Sequence, residues 1–240
     1  MRARIVQAGC LTASRRDRMF ALYARHFRGA RRERFDADLA EKESVIVLEA
    51  EDGGLAGFST LMTLRLSIDG LDRTFLFSGD TIVDPAHWQS IALAGAFSHV
   101  MLRLLERSGS EVYWLLITKG YRTYRFLPVY FRRFYPALPA SADPRLASLR
   151  DAVAQAKFGR AYDAAVGVIR HPPGADGLSA PLCRVPEHRR RDAHVAFFLD
   201  QNPGWMRGDE LVCLAGISRE NFRPAVLRAV SRIQPEWVST

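Results

Sequence analysis

Residues 75–131 decide the fold of this 240-residue chain: FLFSGDTIVDPAHWQSIALAGAFSHVMLRLLERSGSEVYWLLITKGYRTYRFLPVYF. An apolar strand pattern ends at a Val-Asp-Pro turn, and helical spacing of apolar residues predicts a helix over 89–105. The nearly all-apolar run 112–117 predicts a strand buried on both faces. An amphipathic aromatic segment follows over 121–134, where Pro128 limits the length of any helix. The order strand, turn, helix, strand, helix predicts an α/β unit.

The flanking sequence predicts more elements of both kinds. Upstream we expect a helix and an antiparallel run of strands: Arg4–Ala8, helix Ser14–Phe27, Val45–Glu49, Leu55–Ile68 and Thr74–Val83. Turn signals at Asp52-Gly53-Gly54 and Asp69-Gly70 separate the strands. Downstream the patterns predict alternating helices and strands: helix Pro144–Lys157, strand Ala164–Ile169, helix Glu187–Leu199, strand Glu210–Ile217 and a last helix reaching about Ile233. Loops are expected over 136–144 and 171–181.

The composition is that of a globular protein, with 48% hydrophobic and 25% charged residues. The three cysteines are far apart and show no zinc-ligand spacing, so we expect a reducing compartment and no metal site. The net charge of +8 comes almost entirely from arginine. Such a charge favours acidic partners such as nucleotide phosphates or an acidic protein, or is simply a solvated surface. The first residues have no apolar signal-peptide core and no apolar run could span a bilayer, so a cytoplasmic location is expected.

The turn Asp84–Ser90 precedes a predicted helix, and helix N-termini bind anions because their amides are unsatisfied. This turn is therefore a candidate cradle for a pyrophosphate or a phosphopantetheine arm. If the strand ending at Val83 and the strand ending at Ile117 part from each other, a thioester arm could enter between them. Backbone amides freed by the parting could polarise the thioester carbonyl.

The segment resembles the core of the GNAT acyltransferase superfamily. Thr81–Pro85 is similar to that family's fourth strand and its Val-x-Pro exit, and Val112–Ile117 resembles the fifth strand. The resemblance covers roughly residues 5–135 and implies a GNAT-like α/β fold. That fold has a mixed, mostly antiparallel sheet flanked by helices. We expect a core over 1–136 and a C-terminal α/β extension over 137–240, which completes or covers the core.

The segment His87–Ala92 lies where the family carries its glycine-rich pyrophosphate loop. This chain has Gln89 and Ile91 in place of the glycines and Trp88 in place of the usual arginine. Glycine lets backbone amides approach a phosphate closely. The departures leave three readings open: coenzyme A bound differently, a donor carried on an acyl carrier protein, or a copy that has lost catalysis.

Two residues are the catalytic candidates. Asp80, at the end of the apolar part of its strand, could be the base that deprotonates an attacking amine. The alternative is a carboxylate that pairs with an arginine or caps a turn. Tyr124 resembles the family's tyrosine that protonates the leaving thiolate, and the alternative is one more aromatic residue of the core.

Other candidates would hold the two substrates. The resemblance implies that the donor contacts the exit of the fourth strand and the following turn, through Ile82, Val83, His87, Trp88, Gln89, Ser90 and Ile91. Ser78 and Thr118 could hydrogen-bond the acceptor, and Lys119 and Arg122 could bind its carboxylate or the donor's phosphates. For each of these four, an ordinary structural or solvated role is the alternative.

The sequence therefore predicts acyl transfer from acyl-CoA or acyl-phosphopantetheine, used as a co-substrate rather than a tightly bound cofactor, to a small-molecule amine. The expected partner is the amine acceptor, together with an acidic acyl carrier protein if the donor is carried on a protein rather than on coenzyme A. A nucleic acid is not expected, because no reader motif is present. A non-catalytic GNAT-fold binding protein is the alternative. The extension could close over the acceptor site or form a homodimer face.

Overall fold

The computed structural model describes residues 1–138, 143–172, 174 and 176–238. The strands within them are β1 Arg2–Gln7, β2 Phe27–Arg28, β3 Ser44–Glu49, β4 Leu55–Ile68, β5 Leu71–Val83, β6 Glu111–Thr118, β7 Tyr162–Asp163, β8 Val168–Ile169, β9 Gly177–Leu178, β10 Glu210–Gly216 and β11 Glu236–Val238. The α-helices are α1 Ala13–His26, α2 Arg32–Ala40, α3 Ala92–Arg107, α4 Tyr121–Tyr124, α5 Phe126–Tyr130, α6 Pro144–Phe158, α7 Ala180–Cys183, α8 Glu187–Arg190, α9 Ala193–Gln201 and α10 Pro224–Arg232.

Nine strands form one sheet in the order β11-β1-β3-β4-β5-β6-β10-β8-β7. The pairs β5–β6 and β1–β11 are parallel, and the other neighbours are antiparallel. The sheet is therefore mixed and mostly antiparallel, with helices on both faces, which confirms the fold class expected from the sequence. The long hairpin β4–β5 turns at Asp69 and Gly70, both with positive φ, as a tight two-residue hairpin requires.

The two faces of the sheet are covered differently. One face packs under α3, α9 and α10 in a single large apolar cluster that includes Trp114, Phe131 and Phe198. The opposite face carries two separate clusters. One lies under α1 and α2 and includes Phe58, and the other lies under α6 and includes Phe75. A gap between two helical layers on one face of a sheet is where a cleft can form.

Residues after 136 contribute to the same sheet and core as the residues before it. Strand β10 pairs with β6 over six residues, from Leu211 opposite Thr118 to Gly216 opposite Tyr113. The side chains of β10 alternate between the large cluster and the cluster under α6. The expected extension thus supplies an interior strand of the sheet, next to β6. None of the helices in the described part of the chain is both long and apolar enough to cross a membrane.

Several sequence-based boundaries were wrong, each for a local reason. The long helix begins at Ala92 rather than Gln89, because Pro85–His87 form a separate 3-10 turn and Ser90 Oγ accepts the Ala92 amide. The aromatic segment 121–134 contains two short helices, and helix α2 was not predicted.

The C-terminal predictions also need correction. The predicted helix 187–199 is split at Arg191–Asp192, where the Asp192 side chain caps α9. The predicted strand 164–169 shortens to β8, which pairs with β7, and the predicted loop 171–181 contains β9 and the start of α7. Residues 139–142 of the loop 136–144, and residues 173 and 175 of the loop 171–181, lie outside the described residues.

Candidate functional site

Strands β5 and β6 part halfway along their length. Their parallel pairing runs from Arg73 opposite Glu111 to Ser78 opposite Leu116 and stops there. Strand β5 continues to Val83, paired only with β4 on its other side, and β6 continues to Thr118, paired with β10. The opening that the sequence analysis required between these strands therefore begins at Gly79 and Ile117.

A β-bulge lies at the same point. Ser59 pairs with Thr81 and Leu61 with Ser78, so two residues of β5, Gly79 and Asp80, oppose Thr60 alone. Because side chains alternate along a strand, one extra residue changes the face on which every later side chain lies. Phe75, Phe77 and then Ile82 accordingly all pack on the face that α1, α2 and α6 cover. The bulge turns Asp80 to that face as well.

A cleft of about 450 Å³ occupies the gap between the two helical layers on that face. Both parted strands contribute to its walls, through Gly79, Asp80 and Thr81 on β5 and Ile117 and Thr118 on β6. Aromatic rings form much of the remainder, and these are Tyr23, Phe27, Phe35, Phe77 and Phe158. The charged residues of the walls are Arg34, Asp38, Glu41, Asp80, Lys119, Lys157, Asp176 and Glu210, with His171 beside them.

Asp80 is the carboxylate at the centre of this arrangement. Burial, together with the nearby charges of Asp38 and Glu210, raises the pKa of Asp80 to about 7, against the opposing effect of Lys119 and Lys42. No cation of the described residues lies within salt-bridge distance of it. A half-buried carboxylate that titrates near neutral pH can accept a proton from a reacting amine.

A chain of buried polar contacts runs along the β6–β10 side of the cleft. The Tyr23 hydroxyl donates to Asp176 Oδ2 at 2.6 Å, and Lys119 Nζ donates to the Asp176 carbonyl at 3.2 Å. Lys119 Nζ also lies 3.7 Å from Glu210 Oε1, whose other oxygen is 2.8 Å from His171 Nε2. Burial alone would raise the pKa of Glu210, but Lys119 and His171 hold it below its ordinary value. Glu210 therefore neutralises Lys119, which leaves Asp80 without a strong counter-charge.

Two lysines lie near one ring at the opposite side of the cleft, of which Lys157 lines the cleft and Lys42 does not. Lys42 Nζ lies 5.8 Å and Lys157 Nζ lies 4.7 Å from the centroid of Phe77. Lys42 is fully buried and donates to Asp38 Oδ1 at 2.6 Å and to the Asp38 carbonyl at 2.9 Å. Burial and the charge of Lys42 lower the pKa of Lys157. The carboxylates of Asp38 and Glu41 lie on the same side of the cleft.

Three of the residues that the sequence singled out meet in the cleft. Asp80, Thr118 and Lys119 all line it. The Thr118 hydroxyl donates to the Gly120 carbonyl at 2.8 Å, so it shapes the turn that follows β6.

Ser78 and Arg122 lie elsewhere. Ser78 is buried on the other face of the sheet, where its hydroxyl accepts a hydrogen bond from Trp114 Nε1 at 3.0 Å. The Arg122 guanidinium stacks 4.2 Å from the ring centroid of Trp88 and 4.8 Å from that of Tyr121. Neither residue lines the cleft.

The candidate donor residues surround the exit of β5 rather than the cleft itself. Ile82 is buried under α1 and α2, and the carbonyl of Val83 accepts the indole N–H of Trp88 at 2.8 Å. His87 closes the 3-10 turn, Gln89 is exposed, and Ser90 Oγ accepts the amide of Ala92, the first residue of α3. Trp88 and Ile91 are each 41% exposed. The predicted cradle is therefore an open turn in front of α3, with Arg122 stacked across it.

Tyr124 is fully buried. Its hydroxyl donates to the carbonyl of Pro136 at 3.0 Å, and its ring packs against Phe134, Phe197 and Phe198. Burial raises the pKa of Tyr124 above its ordinary value. The structure thus places this tyrosine behind the cleft, within the large apolar cluster, and this arrangement matches the core alternative.

Sequence reasoning missed much of the cleft wall: Tyr23, Asp38, Lys157, His171, Asp176 and Glu210. Glu210 carried a usable signal, since a carboxylate at the start of a buried strand is uncommon without a reason. Asp38 and Lys157 lie on helices that flank the gap, and helical periodicity alone does not show which polar residues face a cleft. The packing of both helices on one face of the sheet brings the two residues to the cleft.

No protein-family model and no curated protein matches the chain. Among solved structures it is similar to a probable N-acyltransferase of unknown function from Enterococcus faecalis, at 15% identity over 56% of this chain and 33% of that one, with a TM-score of 0.43. A GCN5-related N-acetyltransferase from Kribbella flavida has 16% identity over 55% and 34%, with a TM-score of 0.39. A GNAT family N-acetyltransferase from Escherichia coli in complex with CoA has 18% identity over 52% and 68%, with a TM-score of 0.36. The chain spans about a third of the length of the first two. These scores describe a partial likeness.

Proposed function

We propose that the chain is an acyltransferase that moves an acyl group from a thioester to an amine. The observation that carries the proposal is Asp80. A bulge turns this carboxylate into an aromatic-lined cleft at the point where two parallel strands part, and its pKa is about 7. A base of this kind, next to a gap that a thioester arm could enter, suits proton removal during attack on a carbonyl.

The reaction is a direct displacement. The amine nitrogen attacks the thioester carbon, the C–S bond breaks, and Asp80 takes the proton that the nitrogen loses. The sulfur departs as a thiolate, whose conjugate acid has an ordinary pKa of about 8.5, so departure needs no buried acid. We therefore leave Tyr124 out of the proposed mechanism. Backbone amides of β5 beyond Ser78, near Ile82 and Val83, are the proposed donors that polarise the carbonyl.

The donor is proposed to be acyl-CoA or an acyl group on a phosphopantetheine arm. The turn before α3 and the net charge of +8 suit phosphates and an acidic carrier protein alike. Acetyl-CoA and longer acyl-CoA esters are the first probes, and an acyl carrier protein is the second.

The test is thiol release by the purified protein with acyl-thioesters and a panel of amines, with the N-acyl product identified by mass. Asp80→Asn should lower turnover by about 10²–10⁴-fold, the usual contribution of a general base. Asp72→Asn is the matched control, since Asp72 is exposed on the same strand at its far end and should leave turnover within about twofold.

Two results would contradict the proposal. Full turnover by the Asp80→Asn variant would show that Asp80 is not the general base. Absence of thiol release with every thioester and amine tested would show that the protein does not catalyse acyl transfer to these amines.

A non-catalytic binding protein of the same fold is the second candidate. It is favoured by the contact that crosses the exit of β5, where Arg122 stacks on Trp88 and Trp88 donates to the Val83 carbonyl. Under this reading, a carrier protein or acyl-CoA would bind with equal affinity to wild type and Asp80→Asn, and no product would form.

A further inference from the structure

The two lysines that line the cleft, Lys119 and Lys157, and the buried neighbour Lys42 differ in how fully their charges are neutralised. Lys119 is held by Glu210 and by the Asp176 carbonyl, and buried Lys42 is held at 2.6 Å by Asp38. The nearest carboxylate to Lys157 is Glu41, at 3.8 Å, and Glu41 is 62% exposed to water. Lys157 is thus the cleft lysine with the weakest counter-ion.

The surroundings of Lys157 make that charge available to a ligand. Its Nζ lies 4.7 Å from the ring centroid of Phe77 and 5.6 Å from that of Phe158, and only 14% of its side chain is exposed. Apolar rings exclude water, and Lys42 is the neighbouring cation. An ammonium group in such surroundings gains more from a bound anion than a solvated surface lysine does.

We propose that the acceptor carries a carboxylate as well as its amine, and that Lys157 binds this carboxylate while Asp80 takes the proton of the amine. The proposal rests on the proposed function and adds the chemical class of the acceptor. Lys157 is then a specificity-determining residue. The acceptor class is that of amino acids and related aminocarboxylates.

The spacing within the cleft limits the size of this acceptor. Lys157 lies over Phe77, and Asp80 follows Phe77 by three residues on the same strand. Three residues of a regular strand span about 10 Å, which is an upper limit here because the bulge at Gly79 and Asp80 bends the strand, and both side chains border one cleft. A small aminocarboxylate can therefore reach both groups, and the best number of methylenes between its amine and carboxylate becomes a measurable quantity.

The experiment compares two matched series of acceptors with acetyl-CoA as donor. Glycine, β-alanine, γ-aminobutyrate and 5-aminovalerate carry a carboxylate, and methylamine, ethylamine, propylamine and butylamine are the same chains without it. We expect kcat/KM to be roughly tenfold or more higher for the best aminocarboxylate than for its alkylamine, as one charged contact provides. The preference should have a maximum at one chain length.

Variants then assign the effect to Lys157. Lys157→Gln should abolish the preference by lowering kcat/KM for the aminocarboxylates while leaving the alkylamines within about twofold. Lys157→Arg keeps the charge and should retain part of the preference. The matched control is Arg160→Gln, which removes one positive charge from an exposed neighbour outside the cleft and should leave the preference intact.

Failure of this inference is distinguishable from failure of acyl transfer. If alkylamines are acylated as well as aminocarboxylates, or if Lys157→Gln slows both series equally, the carboxylate site is wrong and the acyltransferase stands. If no acceptor is turned over, calorimetric titration of the same two series without donor still tests the site. Selective binding of aminocarboxylates that Lys157→Gln removes supports it, and equal or absent binding of both series overturns it.

Discussion

Strands β5 and β6 are paired along one part of their length and separate along the other. From Arg73 to Ser78 they are paired, and their polar side chains have close partners. Arg73 Nε donates to Glu111 at 3.1 Å, Thr74 and Ser110 share a hydrogen bond of 2.9 Å, and Ser78 accepts from Trp114 at 3.0 Å. Beyond Ser78 the strands part, and Asp80 faces a cleft without a close cation among the described residues.

The difference shows how one pair of strands can serve stability at one end and chemistry at the other. At the paired end, the buried polar groups have hydrogen-bond partners, so their burial lowers the free energy of unfolding only slightly. At the parted end, a carboxylate is kept half-buried and under-neutralised, which costs stability but makes it basic near neutral pH. The bulge at Gly79 and Asp80 is the boundary between the two ends.

Gly79→Ala is expected to have the largest effect on this boundary. A Cβ at Gly79 would lie 2.7 Å from Thr60 Oγ1 and 3.0 Å from Lys42 Cε, so the bulge must shift. We expect a loss of about 1–3 kcal/mol in the free energy of unfolding. A shift of about 1 Å in Asp80 would also cost up to about 100-fold in turnover. Denaturant unfolding and initial rates measure the two effects.

Two variants control for this substitution. Gly109→Ala places the same methyl group where nothing lies within 4 Å, and it should leave both quantities nearly unchanged. Adding Thr60→Ala to Gly79→Ala removes the closest clashing atom, a buried hydroxyl with no hydrogen-bond partner among the described residues. This double variant should recover part of the loss. Wild-type stability and turnover in Gly79→Ala alone would show that the bulge does not need glycine.

Asp80→Asn is expected to stabilise the protein, and to do so only at higher pH. The folded-state pKa of Asp80 is about 7, above the unfolded value of about 3.9. Between these two values the unfolded chain releases its proton first, so stability falls as pH rises and stays low above about 7. Asparagine does not ionise and avoids this loss. We expect Asp80→Asn to be more stable by about 1–2 kcal/mol at pH 8, after allowance for partial solvent screening.

The same variant should lie within about 0.5 kcal/mol of wild type near pH 4, where folded Asp80 is protonated and the unfolded side chain is only about half ionised. Denaturant unfolding of both proteins at the two pH values is the measurement. A stability gain that is equal at pH 4 and pH 8 would mean that the charge of Asp80 is not its cause. A loss of stability at pH 8 would mean that the carboxylate is well paired in solution.

The sequence predicted the sheet better than the cleft, and particular residues show why. The hairpin β4–β5 follows from alternating apolar residues around Asp69-Gly70, and β6 from a short apolar run, because local patterns specify these elements. Helix α2 was missed because its stretch RERFDADLA has few apolar residues, of which Phe35 and Leu39 are buried. Its position depends on tertiary packing, which a local pattern does not contain.

The site was only partly predictable because a bulge is nearly invisible in sequence. Strict alternation would place Ser78 and Asp80 on one face, and both residues were candidate site residues. The extra residue at the bulge separates them, so that Ser78 meets Trp114 and Asp80 meets the cleft. Gly79 is the one local sign of the bulge, since an isolated glycine in a strand pattern marks bulges or close backbone approach.

Tyr124→Phe is expected to have the smallest effect. It tests whether Tyr124 belongs to the large apolar cluster and takes no part in the reaction. Loss of its hydrogen bond to the Pro136 carbonyl should lower the free energy of unfolding by about 1 kcal/mol. Turnover should stay within about twofold, because the hydroxyl does not face the cleft. Tyr130→Phe is the control, since no hydrogen bond of the Tyr130 hydroxyl is present among the described residues and its loss should change neither quantity.

The opposite result would restore the role that the family resemblance implies for Tyr124. A fall in turnover of more than about tenfold at unchanged stability would mean that the hydroxyl leaves Pro136 and reaches the departing sulfur during the reaction. A fall in stability with unchanged turnover agrees with the geometry. In that case the face of the sheet under α3, α9 and α10, where Tyr124 lies, contributes stability alone. The chemistry then lies with Asp80 on the opposite face, which carries the cleft.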